Sequence, residues 1–152
     1  MRYFPLFADL QGRRVLVIGG GEVAERKVRL LLEAGAAVTI VAPELDDPLE
    51  ALVRDGRVSL LATRFVRLVS LFAAFSWATK VLLAVAATDD RAVNAAVAAA
   101  GRERNVLVNV VDDAELSSYI VPAIVDRSPL VIAVSTGGAA PVLARLVRAK
   151  LE

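Results

Sequence analysis

Short apolar runs alternate along the chain with longer stretches in which apolar side chains recur every three or four residues. Arg13-Arg14 precede Val15-Leu16-Val17-Ile18, a uniformly apolar, β-branched run that suits a strand covered on both faces. Gly19-Gly20-Gly21 end it. From Glu22 the spacing turns helical, with Val23, Lys27, Leu30, Leu31 and Ala34 on three- and four-residue steps and Gly35 as the C-terminal cap. Val38-Thr39-Ile40-Val41-Ala42 is a second strand. Residues 13–42 therefore read as a βαβ unit, which implies parallel strands and a right-handed crossover.

The same alternation continues. Pro43 to Asp47 is a loop, Pro48 to Arg54 a short helix ending at Gly56, and Val58 to Ala62 a third strand. Val81 to Ala87 is a fourth, followed by the turn Thr88-Asp89-Asp90 and a helix from Arg91 to Glu103. Val106 to Val111 is a fifth strand and Leu130 to Val134 a sixth. Ser135-Thr136-Gly137-Gly138 then lead into a last helix from Pro141, where proline suits a first helical turn. The pattern predicts an α/β fold, a Rossmann-like doubly wound parallel sheet with a short C-terminal extension. One stretch sits apart: from Leu68 to Thr88 the only charge is Lys80. Its length approaches a membrane span, but the central lysine and the strand-like second half favour a buried helix followed by a buried strand. A partly exposed apolar patch for self-association is the intermediate reading.

Composition narrows the chemistry. The 152 residues are enough for one domain, or one domain and a small appendage, able to bury roughly 70% of the unfolded surface without staples. There is no cysteine and no histidine. That excludes disulfides, thiolate nucleophiles, zinc fingers, a histidine base and imidazole ligands. Proton transfer or metal binding must rest on carboxylates, hydroxyls, amides, lysine or tyrosine. The 18 basic and 17 acidic residues are spread along the chain, so no basic stripe argues for nucleic acid. The start, Met1-Arg2-Tyr3-Phe4-Pro5-Leu6, lacks the apolar core of a signal peptide, and the expected location is the cytoplasm, without a membrane partner.

Gly19-x-Gly21-x-x-Ala24 is a dinucleotide fingerprint in its confirming context, after a strand and opening a helix. The first glycine permits the tight turn and the second lets the backbone approach a pyrophosphate. The small Ala24 lets helix and strand pack closely, while the amides around Glu22 and Val23 face the anion. Glu44 follows about twenty residues on, where an acid can bond the ribose hydroxyls of NAD. With Asp46 and Asp47 beside it and no basic residue to pair a 2′-phosphate, NAD is favoured over NADP. Pro43 intervenes, so an ordinary solvated loop acid is the competing reading of Glu44.

Several blocks resemble the N-terminal part of siroheme synthase. They are Phe4-Pro5-Leu6-Phe7, Val17 to Lys27, the Leu-Leu-Leu-Glu-Ala-Gly run ending at Gly35, Ala86 to Asp90, Val108 to Asp112, Pro122 to Pro129, Ser135 to Gly138 and Pro141 to Leu146. The resemblance covers nearly the whole chain except 66–80. It implies NAD-dependent dehydrogenation of precorrin-2 to sirohydrochlorin, with a tetrapyrrole substrate, a homodimer, and in many relatives ferrous iron insertion at the same site. By the same resemblance Glu22, Val23, Pro43 and Glu44 match NAD-contacting positions, and Asp112 matches the aspartate needed for chemistry. Thr136 matches a serine that is modifiable in some relatives. Residues 1–112 would be the NAD-binding domain and 113–152 the start of a dimerisation and substrate-covering region. Relatives usually have a shorter, more acidic connector before Ala86 and continue beyond the equivalent of Glu152, so the expectation is a truncated enzyme whose site another chain or segment completes.

The residues can be read beside that. Asp112 and Asp113 follow the fifth strand at the carboxyl edge, where open α/β sheets bind ligands. A carboxylate there can take up the proton lost as hydride leaves, or ligate a divalent ion; a turn cap is the equal alternative for Asp112. Asn94, Asn109, Ser117, Ser118 and Ser128 are hydrogen-bonding candidates or turn formers. Arg127, Arg145 and Arg148 are candidate partners for substrate carboxylates, or solvated surface arginines. For substrate the selection is Asn109, Ser117, Arg127, Ser128 and Thr136, with Asp112 as catalytic and metal residue. Two other classes compete with the enzyme: an NAD-binding regulatory module, and an inactive truncated relative.

Overall fold

The computed structural model describes residues 2–63 and 80–152. Within residues 7–118, one compact unit, five strands form a parallel sheet in the order β3-β2-β1-β4-β5. The strands are β1 (Arg14–Ile18), β2 (Ala37–Ala42), β3 (Ser59–Ala62), β4 (Leu83–Ala86) and β5 (Leu107–Val110). Helix α1 (Glu22–Glu33) joins β1 to β2, α2 (Asp47–Arg54) joins β2 to β3, and α3 (Arg91–Glu103) joins β4 to β5. The change of direction between β1 and β4 is the switch point at which such sheets bind ligands. Register places Ile18 opposite Val41 and Ala86, so β1, β2 and β4 end level at the carboxyl edge.

The uniform apolarity of the strands is used as expected. Val15, Leu16, Val17 and Ile18 are buried, as is all of β4, and a cluster around Leu16, Ile18, Val97 and Val108 forms the core on the α3 side. The three helices stop in the same way. Gly35, Gly56 and Asn105 each take positive φ after the last turn, and the next residue's amide reaches back to Leu31, Leu52 and Gly101 carbonyls respectively. These are Schellman caps, with asparagine standing in for glycine at the third.

The expected sixth strand forms, but not where sequential alternation would put it. β7 (Leu130–Val134) pairs antiparallel with β6 (Ala123–Arg127), a strand the sequence pattern did not single out, in a separate two-stranded sheet. The outer edge of β5 is already taken. Ser118 donates its amide to the Val108 carbonyl at 2.8 Å, and its Oγ accepts the Val108 amide at 2.7 Å. Ser117 Oγ accepts the Val110 amide at 2.8 Å. With these groups satisfied the β5 edge takes no further strand among the described residues. The hairpin packs with α4 (Pro141–Leu151) in a second unit made of residues 1–6 and 119–152. The apolar stretch 68–79 lies outside the described residues. No helix among the described residues is long and apolar enough to cross a membrane.

Candidate functional site

The turn after β1 is closed in from two sides. Gly19 sits at φ +127°, and a Cβ there would collide with the Ala87 carbonyl oxygen at the exit of β4. A Cβ on Gly20 would collide with the Glu44 carbonyl oxygen at the exit of β2. Only glycine lets three chain segments approach so closely. Gly21, extended, is the N-cap of α1, and no side chain caps the helix. Its leading amides, at Glu22 and Val23, are therefore left to an anion. Ala24 is fully buried, as the fingerprint requires of its small last residue.

A cleft of ≈ 790 Å³ opens along this turn. Its walls are the glycine loop, the β2 exit from Val41 to Asp46, and the β4 exit from Ala87 to Asp89. Each wall is pinned. The Asp46 amide donates to the Gly20 carbonyl at 2.9 Å, tying the β2 exit to the glycine loop. On the opposite wall the buried Asn94 of α3 grips Thr88: its Nδ2 donates to the Thr88 carbonyl at 2.8 Å and its Oδ1 accepts from Thr88 Oγ1 at 2.8 Å. Asp90 caps α3, accepting from the Ala92 and Val93 amides at 2.8 and 3.2 Å. Glu22, Glu44, Asp46 and Asp89 line the cleft, and no lysine or arginine does among the described residues. Pro43 and Glu44 lie exposed on its rim.

The turn after β5 carries the acid pair, and the two acids differ. Asp113 is the structural member: its Oδ1 accepts from the Glu115 and Leu116 amides at 3.1 and 3.0 Å, and Arg91 lies 3.9 Å from its Oδ2. Asp112 adopts φ +60°, unusual for a residue with a side chain, and is exposed. The turn thus assigns capping to one aspartate and turns the other outward. Lys27, at the second turn of α1, faces the same charge. Burial lowers its pKa, the Asp112 carboxylate opposes that shift, and Arg26 adds to it. A lysine inside the apolar stripe of α1 was the sequence signal for this placement, and the periodicity absorbed it as a helix position.

The remaining candidates fall in two groups. Asn109 is buried on β5 opposite Val85. Ser117 has its hydroxyl committed to backbone, within 3.1 and 2.7 Å of the Val110 and Asp113 carbonyls. Arg127, Ser128 and Thr136 belong to the second unit. There Arg127 donates to the Glu152 carbonyl, Ser128 is exposed at the β6–β7 turn with its amide on Asp126 Oδ1 at 3.0 Å, and Thr136 Oγ1 accepts the Ala140 amide at 3.1 Å ahead of α4. Arg145 is exposed and Arg148 pairs with Glu152 at 2.5 Å. Among the described residues no group of three histidine, cysteine, aspartate or glutamate side chains converges as a metal site would.

Comparison with known proteins agrees with this geometry. Residues 6–123 match the family model described as "Putative NAD(P)-binding", and residues 127–152 match the sirohaem biosynthesis protein central region. The chain is 54% identical to "Siroheme synthase 1" of Yersinia enterocolitica and 55% identical to "Siroheme synthase 1" of Pectobacterium atrosepticum, over all of this chain and 30% of each relative. It thus spans about a third of the length of these curated relatives. A solved structure of "SirC, precorrin-2 dehydrogenase" superposes with a TM-score of 0.74 at 29% identity, covering 98% of this chain and 69% of that one. A glycine loop left open to an anion, in a cleft at the switch point of a parallel sheet, is the geometry of a chain that belongs to the "Putative NAD(P)-binding" family whose model it matches over residues 6–123, and that is similar to siroheme synthases.

Proposed function

We propose that the chain carries the NAD-dependent dehydrogenation of precorrin-2 to sirohydrochlorin. The observation that carries this reading is the pairing, within one unit, of an uncapped glycine-loop cleft with an outward-turned carboxylate, Asp112, at the same edge of the sheet. The name of the solved structural neighbour, a precorrin-2 dehydrogenase, supports it. The cleft fits a dinucleotide: Gly19 and Gly20 leave no room for Cβ atoms, and the Glu22 and Val23 amides are placed for a pyrophosphate. NAD, when bound, accepts the hydride. Pro43 and Glu44 on the rim would flank its adenosine half, and the Ala87–Thr88 wall held by Asn94 would fix its depth. As hydride leaves carbon, a proton must leave the substrate too. Asp112 accepts it, and Lys27 lies near enough for its charge to interact with that carboxylate.

Arg127, Ser128 and Thr136 of the second unit are proposed as contacts for the substrate's carboxylates, and Asn109 and Ser117 of the first unit are proposed separately as its polar contacts. Ferrous iron insertion into sirohydrochlorin is proposed as a second step, with iron as substrate and Asp112 as its ligand; the relatives' name, siroheme synthase, favours it. A homodimer is proposed from α4, whose Val142, Leu143 and Leu146 are each more than half exposed.

The test is NADH formation from precorrin-2 by the wild-type chain and Asp112→Asn, with and without ferrous iron. Asparagine keeps the tolerance for positive φ and removes the base. Turnover should fall about 100-fold or more while NAD affinity is kept. Full turnover in the variant removes Asp112 from the chemistry. Tight NAD binding with no turnover in the wild type favours the regulatory-module reading instead.

A further inference from the structure

Two aspartates stand at helix N-caps on opposite walls of the cleft, and only one of them caps. Asp90 accepts two amides of α3. Asp46, at the N-cap of α2, has extended backbone angles and makes no side-chain cap. Its carboxylate is instead aimed across the glycine loop, with Oδ2 3.8 Å from where a Cβ of Gly21 would stand. The backbone holds it there, because the Asp46 amide is bound to the Gly20 carbonyl at 2.9 Å. Glu44 is fixed differently: its carbonyl oxygen, rather than its side chain, is the group packed on Gly20.

We propose that Asp46, and not Glu44, is the residue that selects NAD over NADP. This rests on the dinucleotide reading of the cleft. An adenosine ribose leaving a pyrophosphate at Gly21 passes within reach of this carboxylate. Its 2′-hydroxyl can donate to Asp46, a charge-assisted bond. A 2′-phosphate brings up to two negative charges to the same place, where no lysine or arginine among the described lining residues offsets the repulsion from Asp46. A carboxylate left uncapped at a helix start forgoes local stabilisation, and the ribose is the donor it is free to meet.

The experiment is calorimetric titration of the 152-residue chain with NAD and with NADP, in the wild type, Asp46→Asn, Asp46→Ala and Glu44→Gln. Asp46→Asn keeps the shape and a competent N-cap, and because the carboxylate caps nothing, the melting temperature of both Asp46 variants should stay near that of the wild type. The wild type should prefer NAD, and both Asp46 variants should lower that preference about tenfold, more than Glu44→Gln lowers it. An unchanged preference in the Asp46 variants, or a collapse of it in Glu44→Gln alone, overturns the assignment to Asp46. If the wild type binds neither dinucleotide, the reading of the cleft falls, and this inference falls with it.

Discussion

The turn after β1 and the turn after β5 leave the same edge of one parallel sheet, yet they are built from different materials. The first is backbone. Gly19 and Gly20 let the exits of β4 and β2 close on it, and it ends in a helix start that no side chain caps. The second is side chain: Ser117, Ser118 and Asp113 occupy the amides and carbonyls of β5 and its exit, leaving Asp112 turned out at φ +60°. A turn that must bind a diffuse anion offers amides, whereas a turn that must move a proton offers one carboxylate and hides the rest of its polar groups. On the proposed function, binding and chemistry fall to separable residues.

The sharpest way to break that division is a pair of substitutions. Gly20→Ala should abolish NAD binding and destabilise the fold by about 2 kcal/mol, because the added Cβ meets the Glu44 carbonyl, in a segment that the Asp46 amide ties to the Gly20 carbonyl. Asp112→Asn should do the reverse, keeping affinity and losing turnover. Calorimetry and denaturant melts on both decide it, and Asp112→Asn losing affinity as severely as Gly20→Ala would show the two turns to be one site energetically.

Next comes the edge of β5. Ser118→Ala removes the acceptor of the Val108 amide and should cost about 1–2 kcal/mol, read as a lower denaturant midpoint with unchanged NAD affinity. A loss below a few tenths of a kcal/mol would mean water replaces the hydroxyl there. Asp112→Gly should act the other way, gaining up to about 1 kcal/mol by relieving positive φ, although the chemistry is lost. Stability unchanged or reduced by glycine would show that the aspartate holds the turn itself.

The smallest effect concerns Lys27. Burial lowers its pKa in the folded chain, so between that value and the ordinary lysine value the unfolded chain carries the extra proton. Stability therefore rises with pH across that alkaline window. Lys27→Met should abolish the rise and leave the chain more stable at neutral pH. Denaturant midpoints at pH 7 and about pH 10 test this; an equal rise in the variant would assign it to another group.

Much of this architecture is legible in the chain. Among the described residues, periodicities of two kinds mark β1 through β5 and α1 through α4 within a residue or two, because a strand buried on both faces must be apolar throughout and a helix on its surface must not. The caps at Gly35 and Gly56 and the fingerprint at Gly19, Gly21 and Ala24 are equally local. The hairpin of β6 and β7 was less legible. Leu130 to Val134 reads as one more strand of an alternating series, and only the occupation of the β5 edge by Ser117 and Ser118 sends it elsewhere.

The same limit applies to the acids. Sequence alone placed five carboxylates after β2 and β5, at Glu44, Asp46, Asp47, Asp112 and Asp113, with Glu44 as the ribose candidate and Asp112 as the catalytic one because no histidine or cysteine competes. It could not divide the roles among them. Tertiary structure did that, capping with Asp113, turning Asp112 outward beside Lys27, and aiming Asp46 across Gly21 while packing the Glu44 carbonyl on Gly20. The physical reason is range. Apolar periodicity, glycine torsions and helix stops are properties of a few consecutive residues, whereas the direction of a carboxylate depends on which distant amides are still unpaired when the chain closes.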